Sequence, residues 1–292
     1  MEERVPLARF TTIGIGGPAR FLARPETLDE LQRLLVWAAE EGLPVETIGL
    51  GSNLLVADEG IDALVLRLQG ELADARVDGT LLVAGGGATN AVCLHRARDG
   101  GLAGFEFASA IPGTAGGGVR MNAGAYGREW RDVLLAAVVV SAAGVRTLDA
   151  DELDLSYRHS ALAPGEVVAE VSFRLDPGAS PDAIKAETAR LLAQRKATQP
   201  TNKRTFGSVF KNPELERRGA GRLIEECGLK GHRSGGAVIS PRHANFIENA
   251  GGATAADAVA LMAEARRRVY ERFGVELEHE VRFLGGLELP PL

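Results

Sequence analysis

Cysteine is scarce in this chain: Cys93 and Cys227 are the only two among 292 residues. Two thiols far apart, in segments with helical spacing, exclude a disulfide framework and a thiolate zinc site, and both are expected to be buried. His95, His159, His232, His243 and His279 have no metal-ligand spacing, so no metal is expected. Basic runs are missing too, and the net charge is −6. Nucleic acid is thereby disfavoured as a partner, although a local basic pocket for an anionic small molecule stays open. No stretch approaches the roughly 20 apolar residues of a membrane span. The opening MEERVPLARF has no apolar signal core, so a cytoplasmic protein without membrane attachment is expected. Gly-x4-Gly-Lys-Ser/Thr occurs nowhere, which excludes a nucleoside-triphosphate loop, and the absence of Gly-x-Ser-x-Gly argues against a hydrolase elbow.

What the chain does have is glycine. Gly104–Gly127 reads GFEFASAIPGTAGGGVRMNAGAYG, with seven glycines and no charge beyond Glu106 and Arg120. Phe105, Phe107, Ile111, Val119 and Met121 lie among them, which a flexible linker would not keep. Backbone pressed against another element or a flat ligand is expected. The small residues of Pro112–Gly117 leave backbone N–H groups uncovered, and a concave row of such groups binds phosphate. A tight structural turn is the plain alternative. A second loop, Gly49-Leu50-Gly51-Ser52-Asn53, lies about sixty residues upstream. A ligand with a diphosphate in its middle is suited to both loops without needing Lys or Arg. Thr11–Pro18 also carries a Gly-x-Gly-Gly fragment. It is rejected as a dinucleotide fingerprint because no strand is expected before it and Pro18 stands where a helix should begin.

Periodicity predicts helices at 28–41, 88–99, 182–196, 219–227 and 254–273. Strands are predicted at 45–50, 63–68, 80–84, 134–141, 145–148, 166–175, 244–248 and 275–284. Asp176–Pro181 reads as a linker, and Arg266-Arg267-Arg268 as a solvated run. The fold class is α+β in three pieces, 1–69, 70–176 and 177–292. Arg158, flanked by Tyr157, His159 and Ser160, is either a surface ion pair or a functional cation. Ser208, between Gly207 and large apolar residues, is a hydroxyl in a dry setting. Glu278 and Glu280 share a strand face with His279 opposite.

Five motifs in this order resemble one family: Gly49–Leu54, Ile111–Gly117, Tyr157-Arg158, Gly207–Pro213 and Glu280-Val281-Arg282. The chain is similar to UDP-N-acetylenolpyruvoylglucosamine reductase, a flavoenzyme of bacterial peptidoglycan synthesis, from Thr12 to Gly285. The resemblance implies a two-subdomain FAD-binding module of the vanillyl-alcohol oxidase type and a smaller α+β substrate domain. It implies non-covalent FAD, since no histidine lies between Ile48 and Ala57. Cofactor contacts would fall at Gly49, Leu50, Gly51, Ser52, Asn53, Leu54, Ser109, Pro112, Gly113, Thr114, Gly116, Gly117, Asn122 and Gly124. Catalytic residues would be Arg158, Ser208 and Glu280; Tyr157, Lys196, Asn212 and Lys230 would bind a UDP-sugar. NADPH would be the co-substrate, with ping-pong kinetics, and a monomer is expected. Ser208 would give a proton to the alpha carbon while Arg158 and a protonated Glu280 stabilise charge on the substrate carboxylate. No tyrosine occurs between Arg158 and Tyr270, so the chain looks like the class lacking a tyrosine lid. The rivals are a flavin oxidase of the same fold and an inactive flavin- or UDP-sugar-binding regulator.

Overall fold

The computed structural model describes residues 1–213 and 216–292. The chain divides into two compact units. The first is Met1–Glu2, Phe21–Leu50 and Ala63–Arg195; the second is Glu3–Arg20, Gly51–Asp62 and Lys196–Leu292. This grouping cuts across the three successive pieces expected from sequence, for reasons visible in the second unit.

The first unit is built on a five-stranded antiparallel sheet. Its order is Gly144–Asp149, Leu134–Ser141, Val167–Arg174, Leu81–Gly85 and Ala75–Asp78. Alternation along a strand sends successive side chains to opposite faces. Ala137 and Val139 enter one core cluster, and Val138 and Val140 the other. The first cluster centres on Phe105, Phe107, Trp130 and Phe173, whose ring centroids lie 5.0 to 6.1 Å apart. Buried aromatics of this kind supply much of a core's stability, roughly 1.5–3 kcal/mol for a fully buried Phe. Helix α1 (Leu28–Glu40) lays Leu31, Leu35 and Ala38 on the second cluster. Thr27 Oγ1 accepts the Glu30 N–H at its start. Helix α2 (Asn90–Asp99) is capped by Thr89 and buries Cys93, whose thiol burial pushes up to about 12. α3 is the short helix Ala115–Arg120, and α4 spans Pro181–Thr198. The expected linker is tied down: Asp176–Pro177 pairs antiparallel with Leu102–Ala103. Turn-forming residues there mark a strand edge.

In the second unit Arg233–Ser234, Ala237–Ile239 and Ile247–Asn249 form an antiparallel sheet beside α5 (Ala220–Glu226) and α6 (Ala255–Phe273). α6 buries Ala255, Ala258, Leu261, Met262, Ala265 and Val269. It opens on a reciprocal cap between Thr254 and Asp257 and closes at Gly274, which takes the left-handed φ of 66°. Arg267 and Arg268 pair with Glu264 at the surface, as expected of a solvated run. Arg266 departs from it: only 14% of its side chain is exposed, and it reaches Glu276 at 2.8 Å and the Pro290 carbonyl at 3.0 Å.

Two N-terminal strips belong to this unit because they complete its hydrogen bonding. The Asp58 carboxylate accepts the first N–H of α6 at 2.9 Å, and Asn249 Nδ2 donates to the Ile13 carbonyl at 3.0 Å. Thr12 Oγ1 donates to the Thr205 carbonyl at 2.6 Å, and Leu54–Val56 pairs in parallel with Arg282–Leu284. The last strand is thus three residues rather than the run 275–284 expected from alternation; before it the chain is extended without a ladder, apart from a bridge at His279. A strand, Glu2–Pro6, does precede the Gly-x-Gly-Gly fragment, contrary to expectation. Pro18 nevertheless opens a strand, Pro18–Ala23, where a dinucleotide fold needs a helix. Among the described residues no helix is long and apolar enough to cross a membrane, and no three His, Cys, Asp or Glu could share a metal.

Candidate active site

The glycine-rich stretch bends through a 3₁₀ turn at Glu106–Ala110 into α3. Thr114 caps that helix, accepting the Gly117 N–H on Oγ1. Ala115 N–H donates to the Ala88 carbonyl and Gly116 N–H to the Gly86 carbonyl, both at 2.9 Å. The row of bare amides expected over Pro112–Gly117 therefore narrows to Gly113 and Thr114, whose N–H groups donate to nothing among the described residues. The cause is a third glycine run, Gly85-Gly86-Gly87, which sequence reading passed over. A Cβ on Gly86 would lie 1.8 Å from the Val168 carbonyl oxygen, and one on Gly116 would lie 2.9 Å from the Gly86 oxygen. Backbone packs directly on backbone there. Gly49 of the upstream loop lies against Thr114, where a Cβ would meet Oγ1 at 2.7 Å. Within the first unit, the start of the upstream loop thus lies on the downstream one.

Beside them Ser109 Oγ and Asn90 Oδ1 are buried and make no hydrogen bond among the described residues, while Asn90 Nδ2 donates to the Ile111 carbonyl at 2.8 Å. A buried polar atom left unpaired is costly, about 1–3 kcal/mol, and marks a place for a ligand or water. Bare amides and an unspent buried hydroxyl beside closely packed glycine backbone suit a diphosphate-bearing cofactor such as FAD. Gly49, Ser109, Gly113 and Thr114 are the residues that would hold it.

Arg158 stands in the first unit on a tight turn in which Ser156 and His159 exchange backbone bonds. Its φ is +56°, rare for a side-chain-bearing residue, and its side chain is 14% exposed. Nη2 donates to the Gly124 carbonyl at 3.1 Å, and the guanidinium lies 4.8 Å from the Tyr157 ring centroid. Asn122 is wholly buried and its side chain is spent inside the fold, on Glu129, the Ser156 carbonyl and the Arg131 N–H. Its place among the expected cofactor contacts is therefore not one its amide can fill as it stands.

Ser208 and Glu280 belong to the second unit, on chain segments that pair antiparallel. Glu280 N–H donates to the Val209 carbonyl at 2.8 Å, and Lys211 N–H to the Glu278 carbonyl at 2.9 Å. Both Ser208 and Glu280 are half-buried. Asn53 Nδ2 donates to the Glu280 carbonyl at 3.1 Å, so this loop residue grips the acid's own backbone. Gly51 has φ +65°, and a Cβ there would lie 2.0 Å from the Phe10 carbonyl oxygen. Ser52 offers its carbonyl beside Gly207, and Leu54 is buried in its strand.

Sequence reading missed Asn245. Its Oδ1 accepts the Phe210 N–H at 3.0 Å, its Nδ2 donates to the Phe210 carbonyl at 2.8 Å, and its own carbonyl accepts the Val209 N–H at 2.9 Å. It clamps the segment that follows Ser208. No short motif surrounds it. Two expected substrate residues have other partners, and a third is exposed. Asn212 Oδ1 accepts the Ala220 N–H at the start of α5, Lys230 pairs with Glu225 at 2.9 Å, and Lys196 is exposed on the last turn of α4.

Comparison with known proteins agrees in both halves of the chain. Residues 19–149 match a family model described as an FAD binding domain. Residues 199–284 match the model of the UDP-N-acetylenolpyruvoylglucosamine reductase C-terminal domain. A reductase of that name from Anaeromyxobacter dehalogenans is 48% identical over 288 residues, 98% of this chain and 85% of its own. One from Symbiobacterium thermophilum is 47% identical over 96% of this chain and 91% of its own. The crystal structure of UDP-N-acetylenolpyruvylglucosamine reductase (MurB) from Thermus caldophilus superposes with a TM-score of 0.84 at 39% identity, covering 97% of this chain and 98% of that one.

Proposed function

The chain belongs to the UDP-N-acetylenolpyruvoylglucosamine reductase family, an FAD-dependent oxidoreductase of peptidoglycan precursor synthesis, and from that premise we propose the steps its residues perform. The substrate is the enolpyruvyl ether of UDP-N-acetylglucosamine, and the product is UDP-N-acetylmuramate. Bound FAD, recharged by NADPH, would supply a hydride from N5 to the terminal CH2 carbon.

That addition leaves an electron pair at the alpha carbon, shared with the neighbouring carboxylate. Ser208 Oγ gives its proton to the alpha carbon. Arg158 carries a fixed positive charge with a planar donor fork suited to the carboxylate. Glu280, when protonated, adds a donor. The observation that supports this reading is the antiparallel pairing of the Ser208 and Glu280 segments through the Val209 carbonyl, which sets two segments far apart in sequence side by side. Tyr157, Lys196, Asn212 and Lys230 are retained as contacts to the UDP-sugar. Lys230 would exchange an exposed ion pair for the ligand, an exchange costing at most about 1 kcal/mol. A cytoplasmic monomer using NADPH completes the reading.

The test is Ser208→Ala. Reduction of the bound flavin by NADPH should persist, while turnover of the enolpyruvyl substrate should fall about 10²–10⁴-fold. Unchanged turnover would remove Ser208 as the proton donor.

A further inference from the structure

We propose that Glu129 is a positioning residue for Arg158, and that Asn122 fixes the Glu129 carboxylate in place. The proposal rests on the reading that Arg158 receives the substrate carboxylate. The Glu129 side chain is 17% exposed and collects several partners. Its Oε2 accepts from Asn122 Nδ2 at 2.9 Å and from Arg131 Nε at 3.0 Å, and the side chain also accepts the Asp132 N–H. Its Oε1 lies 3.9 Å from Arg158 Nη1.

That division of labour is informative. One carboxylate oxygen is pinned by neutral and cationic donors of its own neighbourhood. The other faces the Arg158 guanidinium at a distance that gives electrostatic attraction without a close bidentate bond, and Arg131 shares the negative charge. Arg158 is therefore steered by Glu129 through electrostatic attraction and not through a tight bidentate pair. Asn122 joins the carboxylate to the turn that bears Arg158, because the same Nδ2 that donates to Glu129 also donates to the Ser156 carbonyl at 2.9 Å. The backbone carries the same signature. Asn122, Tyr126 and Arg158 all have positive φ, at 38°, 54° and 56°. Such conformations persist at side-chain-bearing residues only where surrounding bonds over-determine them, and they gather at sites that must hold a shape.

The test uses full-length, FAD-loaded protein carrying Glu129→Gln, which keeps the shape and loses the charge. Turnover of the enolpyruvyl substrate should drop about 10–100-fold, mostly in kcat, as expected when a reacting group is displaced by an ångström or so. Flavin reduction by NADPH and the melting temperature should stay as in the parent. A second readout does not depend on activity: the Arg158 Nη signals in nitrogen NMR should be resolved in the parent and averaged by faster rotation in the variant. Glu129→Asp, which restores the charge, should recover part of the turnover. Unchanged turnover with unchanged Arg158 signals would overturn the proposal. So would an equal loss of both half-reactions with a lowered melting temperature, which would make Glu129 a scaffold residue only. If the parent protein itself does not turn over the enolpyruvyl substrate, the functional reading fails, and the NMR comparison still decides whether Glu129 holds Arg158.

Discussion

At the scale of single residues, His243 shows how a half-buried titratable group is tied to the loop that carries Ser208. Burial holds its imidazole below the ordinary value of 6.5, with Lys230 adding to the effect. Its Nδ1 accepts the Asn245 N–H at 3.2 Å, which requires the neutral ring. The unfolded chain therefore binds more protons than the folded one as pH falls below about 6.5. Stability is full above that value and is lost as pH drops toward the folded pKa. Melting curves from pH 8 to 5 should show a decline on the acid side that is shallower in His243→Gln than in the parent. Superimposable pH profiles would exclude the effect. Arg158, Ser208 and Glu280, the residues proposed to carry the chemistry, were legible because each sits in a short motif. Glu129 and Asn245 were not. Glu129 lies beside Arg158 and Asn245 bonds Phe210, each far along the chain, and local sequence carries no trace of such pairing.

At the scale of elements, helices were read within a residue or two at most ends, because their caps are written in side chains: Thr27 for α1, Thr254 with Asp257 for α6. Strands fared unevenly. Leu134–Ser141 agreed to the residue, but Ala75–Asp78 and Ala237–Ile239 were missed and the last strand was drawn too long. Alternation reports which way side chains face. It does not report how far a neighbouring segment supplies hydrogen bonds, and within 275–281 the pairing is confined to the bridge around His279. The glycine run at 85–87 yields a firm expectation. Gly86→Ala forces a methyl group into the backbone of the central strand at Val168. It should cost about 1–3 kcal/mol or more in denaturant unfolding and weaken retention of FAD through the displaced Gly116 loop. A variant as stable as the parent would show that the strand gives way freely.

At the scale of the whole molecule, a cofactor that binds the folded chain and not the unfolded one must raise its melting temperature. Protein stripped of FAD and then titrated with it should gain about 2.7 kcal/mol when free FAD reaches 100 times its Kd. Yellow colour should return with the rise. A stripped protein that neither takes up flavin nor gains stability would contradict the cofactor assignment. The α+β class and the flavin module were legible from the order of motifs along the chain. The grouping into units was not, because it depends on Asp58 reaching α6 and on Leu54–Val56 lying beside Arg282–Leu284.

That last pairing has a consequence for biosynthesis. A ribosome releases the chain from its first residue onward, and strand Leu54–Val56 must wait for a partner more than two hundred positions later. The sheet of Leu134–Ser141 and Val167–Arg174 can close while translation continues. The lobe bearing Ser208 and Glu280 is closed only after Arg282–Leu284 has been read, so a nascent chain stalled short of Arg282 carries an apolar strand without its sheet partner.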